Sequence, residues 1–325
     1  MKFGCSLEMV NVLTSGPCAF TKQSKKFWID YFKYIAAAGF QGIELPFNCF
    51  NSDAMAFETG RSGIPCNALA VASKYGSPEQ FLELLKEFGI EEVTSVHVNA
   101  NDAMLELAAT ESPAGEYYGL LEKLCMESLE HAHSLRAGGL VVSPTPELGW
   151  VLNYFKDSMD EFEEKTIACM KKLVQAGKEK GVCVAIKNDF WSCFAGEKTK
   201  ELLEQVKEAS FAPDLAHLYI SKQPVVETLQ SCSDRLAYVR MSDTSFEDAV
   251  GNYKRINAEL PVSGSQKVFC DCGEGSVDIM GAMQCLKENG YDGWVICENK
   301  KTLDVYRGLL KLGWFVNHKL AKNLK

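Results

Sequence analysis

Four apolar runs in this chain carry a charged side chain at or near their end. "VCVAIK" ends in Lys187, "LAYVRMS" holds Arg240, "ASFAPD" ends in Asp214 and "WVICEN" holds Glu298. A charge beside buried residues is costly unless it has a partner or a task. Lys and Arg carry only hydrogen-bond donors, so they can neutralise the two acids or stabilise an oxygen on which negative charge develops. A carboxylate can take up the proton that leaves in the same step. A lysine whose pKa is lowered by burial and by Arg240 could also form an imine with a carbonyl compound. His217 lies three residues past Asp214, and Glu44, His97, Glu147 and Asp243 sit at or just beyond the ends of other runs.

The elements that carry these residues follow from hydrophobic period. Eight short runs, "KFGCSL", "GIELPF", "VTSVHVN", "GLVVSP", "VCVAIK", "ASFAPD", "LAYVRMS" and "WVICEN", read as strands separated by amphipathic stretches. "KKFWIDYFKYIAAAG" predicts a helix stopped at Gly39. "SPEQFLELLKEFG" predicts one with Ser77 as N-cap, Pro78 in the first turn and Gly89 at its close. Strand–helix alternation calls for parallel pairing, and eight units predict a closed (β/α)8 barrel spanning 1–325 as one domain, with insertions near 46–77 and 244–267. A glycine-rich dinucleotide turn after the first strand is missing. In such a barrel the carboxyl ends of the strands form one ring, which here gathers Glu44, His97, Glu147, Lys187, Asp214, His217, Arg240, Asp243 and Glu298.

Composition narrows the partners. The chain has 325 residues, 46% hydrophobic and 24% charged, a balance that supports a large core. A net charge of -9 argues against a nucleic-acid surface, and no apolar run reaches membrane-spanning length, so a cytoplasmic protein acting on a small molecule is expected. The 13 cysteines sit singly in apolar runs, as small buried residues of a reducing compartment do, and Cys270-x-Cys272 has no second pair to complete a zinc site. His131, His133 and His318 fall in helices and read as structural. Phe190, Trp191 and Trp150 follow strands on the ring side, where an aromatic face suits a sugar ring or a flat substituent. "GEG" at 273–275 has no flanking basic cluster, so a phosphosugar is not favoured.

The segment "VFCDCGEGSVDIMGAMQCLKENGYDGWVICEN", with Gly273, Gly275, Asp278, Gly290, Tyr291, Gly293 and Glu298, resembles the last unit of the xylose isomerase-like TIM barrels, a group of sugar isomerases and epimerases that includes endonuclease-IV-type enzymes. "GIEL" and "PDLAH" are also similar to that group. The resemblance implies a divalent metal on four strand-end residues. Two of those positions match, at Asp214 and Glu298, while the expected Glu and His fall on Lys187 and Arg240. Neither replacement can coordinate a cation, and both repel one. The resemblance therefore implies proton transfer next to a carbonyl of a sugar or keto-sugar, with Lys187 and Arg240 in place of the metal and with Asp214, His217 and Glu298 as acid, base or orienting groups. Glu44, His97, Glu147, Trp191 and Asp243 would then contact substrate.

Two alternatives stay open. Manganese, magnesium or zinc could bind through a rearranged set, with Asp214, Glu298 and His217 joined by Glu147 or Asp189. Or the barrel could be an accessory subunit, or the larger subunit of a lyase cleaving 3-keto C-glycosides, with the ion pairs holding its mouth together. A homodimer or a hetero-subunit partner is expected from the resemblance alone.

Overall fold

The computed structural model describes residues 1–10, 24–49, 63–260 and 267–324. Eight strands form one sheet in the order β6-β5-β4-β3-β2-β1-β8-β7. They are β1 (Lys2–Ser6), β2 (Gly42–Phe47), β3 (Glu92–Asn99), β4 (Gly139–Ser143), β5 (Cys183–Lys187), β6 (Ser210–Ala212), β7 (Tyr238–Met241) and β8 (Trp294–Cys297). Every ladder is parallel. The β6/β7 seam closes through parallel bridges Phe211↔Leu236 and Asp214↔Arg240, with Arg240 N–H donating to Pro213 O at 2.8 Å. The result is the expected (β/α)8 barrel. Parts of both expected insertions, residues 50–62 and 261–266, lie outside the described residues.

Local signals set the helices. Ser77 accepts from the Gln80 backbone and Gln80 accepts in return from Ser77 N–H, a capping box that starts Pro78–Glu87. Gly39 and Gly89 each take a positive φ just past a helix end, a conformation that glycine adopts without strain. Between sheet and helices lies a continuous apolar layer that includes Trp28, Phe32, Leu129 and Met170. Among the described residues every cysteine is a free thiol, and no helix is long and apolar enough to cross a membrane.

The barrel interior has its own small core of Val141, Ala185, Ala212, Tyr238 and Ile296, with Trp294 packed against it. Two rings plug the floor, and glycines make room for them. A Cβ at Gly42 would come within 2.7 Å of the Trp294 ring, and one at Gly139 within 2.7 Å of the Tyr238 hydroxyl. Tyr238 Oη also donates to Thr94 O at 3.0 Å, so the buried phenol is satisfied.

Candidate active site

Strand alternation lifts the charges onto the same interior face one layer higher. Ala185 is followed two residues on by Lys187, Tyr238 by Arg240 and Ile296 by Glu298, and residues two apart share a strand face. All three charged groups are buried, as are Asp214, Glu44 and His217. The carboxyl ends of the strands thus hold an ionic layer above an apolar floor.

Arg240 is the hub of one half. Its guanidinium donates to Glu44 of β2, to Glu8 at 3.2 Å and to Glu298 at 3.4 Å. Burial opposes the arginine charge, but Glu44, Glu8 and Glu298 more than offset it. Glu8 stands in a single 3-10 turn after β1, where its other oxygen lies 2.7 Å from His97 Nδ1. His97 Nε2 in turn lies 3.1 Å from Ser143 Oγ.

The other half centres on Asp214, which caps the helix Leu215–Ile220. Asn188 accepts from its N–H at 2.6 Å, and Ser242 donates to its Oδ1. Its Oδ2 faces three cations: Lys300 Nζ at 3.1 Å, Arg240 Nε at 3.8 Å and Lys187 Nζ at 3.9 Å. Burial works against the Asp214 charge, but these cations, Lys300 foremost, hold its carboxyl well below the usual range. Lys187 pairs more closely with Asp189 than with Asp214. The ammonium that bridges Asp214 and Glu298 is that of Lys300, which also lies 3.2 Å from Glu298 Oε2. Burial pushes the Glu298 carboxyl up, against the pull of Lys300.

His217 is sandwiched between Phe190 and Phe269, with ring centroids 5.3 Å and 5.5 Å away. Its Nδ1 accepts from Phe190 N–H at 3.1 Å, which leaves the proton of the neutral ring on Nε2. Burial and then Lys187 push its pKa down to about 4, so the ring is uncharged at neutral pH. Nε2 faces Glu259 Oε1 at 3.6 Å and Asp214 Oδ2 at 3.9 Å. Glu259 also accepts from Trp191 Nε1–H at 3.0 Å and pairs with Lys301 at 3.0 Å.

The structure therefore brings together Lys187, Asp214, His217, Arg240, Glu298, Glu44 and His97. The other residues expected to meet substrate stand apart from the charged layer. Asp243 accepts from the backbone N–H groups of Thr244, Gly273, Gly275 and Val277, so its carboxylate shapes the loop before the last helix pair. Glu147 accepts from Asn257 and Ala258 N–H, and burial raises its pKa to about 7. Trp191 is buried, with its N–H on Glu259. Sequence reasoning missed Glu8, Lys300 and Glu259. The first two left a faint signal, each directly following one of the apolar runs; Glu259 left none.

Among the described residues, four buried polar atoms of this cluster make no aligned hydrogen bond, Asp189 Oδ2, Asp214 Oδ2, His217 Nε2 and Arg240 Nε, although Asp214 Oδ2 and Arg240 Nε keep the ion pairs given above. Polar atoms left without an aligned partner so close together could accept from or donate to a polar ligand. For a metal the fit is poor. Lys187 and Arg240 occupy two of the four positions that the sequence resemblance assigns to ligands, and neither has a lone pair. Asp189, His217 and Glu259 do place ligand atoms within 4.8 Å of one another. Yet Lys187 already sits on Asp189, Phe190 N–H on His217 and Trp191 N–H on Glu259.

The family model of the xylose isomerase-like TIM barrel matches residues 32–312. An uncharacterized protein of Methanocaldococcus jannaschii is 22% identical over 210 residues, which is 61% of this chain; the match spans about two thirds, 64%, of that relative's length. The probable 3-DHS dehydratase involved in petrobactin synthesis from Bacillus anthracis superposes with a TM-score of 0.65 at 14% identity, covering 98% of this chain and all of that one. The 3-keto-D-glucoside 4-epimerase from E. coli superposes at 0.60 with 17% identity, covering 97% and 99%. At such identities the likeness is one of fold.

Proposed function

The chain belongs to the xylose isomerase-like TIM barrel family, and from that premise we propose that it is a carbohydrate isomerase or epimerase whose electrostatic work is done by side-chain cations. The observation that carries this reading is the ring of Lys300, Arg240 and Lys187 within 3.9 Å of one buried Asp214 oxygen. In a keto-sugar the C–H bond next to the carbonyl breaks, its proton passes to a carboxylate, and the electron pair moves onto the carbonyl oxygen. Return of a proton to the other face of the same carbon completes an epimerisation; return to the former carbonyl carbon, with the proton of the neighbouring hydroxyl passing to the oxyanion, completes an isomerisation. Glu298 suits the base, because burial raises its proton affinity. The ammonium groups of Lys300 and Lys187 suit the developing oxyanion. His217, neutral and carrying its proton on Nε2, suits a hydrogen-bond donor. The 3-keto-D-glucoside epimerase among the structural neighbours makes keto-sugars the substrates to try first.

One observation favours a second reading. Every cation of the layer already has a carboxylate partner, and Lys187, Arg240, Lys300 and Glu298 are each at most 8% exposed. An ion-pair lock in a non-catalytic barrel would look the same. Thermal shifts against a panel of keto-sugars separate the two. Stabilisation of the wild type that disappears in Lys187→Ala supports the enzyme, and co-purification with another subunit without any sugar-dependent shift supports the accessory role. Elemental analysis closes the remaining branch: stoichiometric manganese, zinc or magnesium would move the reading to the Asp189, His217 and Glu259 group.

A further inference from the structure

Glu259 reaches the site from an irregular segment after β7, held by contacts from elsewhere in the barrel and by its own side chains. Glu147, just past β4, accepts from Asn257 N–H at 2.7 Å and from Ala258 N–H at 3.0 Å, using both carboxylate oxygens. Its own N–H donates to Asn101 Oδ1 at 2.8 Å, which ties it to the end of β3. Two residues on, Gly149 packs so closely that a Cβ there would lie 2.4 Å from Ile256 N and 2.5 Å from the Arg255 carbonyl carbon. On the far side, Asn252 donates to Ala258 O and accepts from Arg255 at 2.7 Å, while Asp248 accepts from Asn252 and Tyr253 N–H. Asn257 takes a positive φ of 59°, which asparagine tolerates better than most residues. The segment is built to hold one shape.

What that shape delivers is a carboxylate oxygen 3.6 Å from His217 Nε2, braced by Trp191 and Lys301. An imidazole N–H beside a carboxylate oxygen is a donor and an acceptor side by side, the complement of a hydroxyl that accepts one hydrogen bond and donates another. We propose that Glu259 and His217 together bind one hydroxyl of a polyhydroxylated substrate, and that Glu147 is the positioning residue that keeps Glu259 there. The hydroxyl assignment rests on the carbohydrate reading above; the positioning of Glu259 by Glu147 does not.

The Trp191 indole N–H reports on Glu259 without any substrate. In a ¹H–¹⁵N spectrum its resonance is assigned with Trp191→Phe. It should move upfield in Glu259→Gln, move the same way in Glu147→Ala, and move partway in Glu147→Gln, which keeps one acceptor. Gly149→Ala, with Glu147 intact, should move it too, because the added Cβ pushes the segment away. With keto-sugars as probes, Glu147→Ala and Glu259→Gln should each raise KM or the dissociation constant roughly tenfold to a hundredfold with a smaller change in kcat, the loss of one charged hydrogen bond. An indole resonance that shifts in Glu259→Gln but stays in place in folded Glu147→Ala overturns the positioning role. Expected indole shifts with no binding of any keto-sugar keep the positioning role and overturn the hydroxyl assignment together with the carbohydrate reading. Sugar binding by wild type that is unchanged in Glu259→Gln overturns the hydroxyl assignment alone.

Discussion

Replacing Lys187 by Met removes an ammonium while keeping most of the side-chain volume, and the structure sets the size of the effect. Asp189, which Lys187 contacts, is 1% exposed, and burial opposes its charge; Lys187 is the main influence holding its pKa below the usual 3.8. Removing one partner of a buried ion pair costs about 3–5 kcal/mol. The acid has an escape, however: it can take up a proton. Relative to an unfolded pKa of 3.8, that costs about 1.4 kcal/mol per pH unit, hence about 4 kcal/mol at pH 7 and about 1.6 kcal/mol at pH 5. The sign follows from linkage. Wild-type Asp189, with its lowered pKa, keeps its contribution at both pH values, whereas the variant binds the extra proton when folded and so loses stability as pH rises. Asp214 feels less of the change, since Lys300 and Arg240 stay beside it. Urea denaturation followed by circular dichroism should therefore show a deficit of about 4 kcal/mol at pH 7 that shrinks to under half at pH 5. Lys187→Met combined with Asp189→Asn should recover much of it. A deficit below 1 kcal/mol at pH 7, or one equal at both pH values, would refute the claim that these cations neutralise the buried acids.

Three further outcomes follow. His131 is buried, its Nε2 lies 3.2 Å from Pro65 O, and burial pushes its pKa from 6.5 down to about 4. The unfolded chain then binds more protons between those values, so stability is full above pH 6.5 and falls toward pH 4, by up to about 3 kcal/mol for this residue. His131→Gln should flatten that part of the urea-midpoint profile and leave the part due to His217. Gly42→Ala should cost about 1–3 kcal/mol by pressing a methyl group against Thr94 and Trp294, read as a lower thermal midpoint with an unchanged fold. Ser77→Ala should cost about 1 kcal/mol by removing the capping box, and Ser77→Asp should recover it.

The eight strands were legible because each is a short apolar run bounded by turn residues, and parallel pairing buries both faces of such runs. Lys187, Arg240 and Glu298 were legible for a related reason: strand alternation carries the inward direction one step past the apolar floor. Partner choice was not. Sequence suggested Lys187 and Arg240 facing Asp214 and Glu298. In the fold Arg240 turns chiefly to Glu44 and Lys187 chiefly to Asp189, and Lys300 bridges the other two acids. Partners across a closed barrel depend on strand stagger, which no local pattern encodes. Glu259 arrives on a segment without period, and Asp243 looked like a site residue because only the folded chain reveals the four N–H groups around it. Its use does explain the Gly-x-Gly: a Cβ at Gly275 would lie 2.1 Å from Asp243 Oδ1, so that position must stay bare for the loop to wrap the carboxylate.

The plugged floor has a bearing on how such a protein changes over generations. Tyr238, Trp294 and the glycines that admit them close one end of the barrel without drawing on any residue of the ionic layer. Substitutions in the ionic layer can therefore change its charges while the packing below, and with it the stagger of the strands, is kept. The charged layer is a fitting set in a cup that is sealed from below.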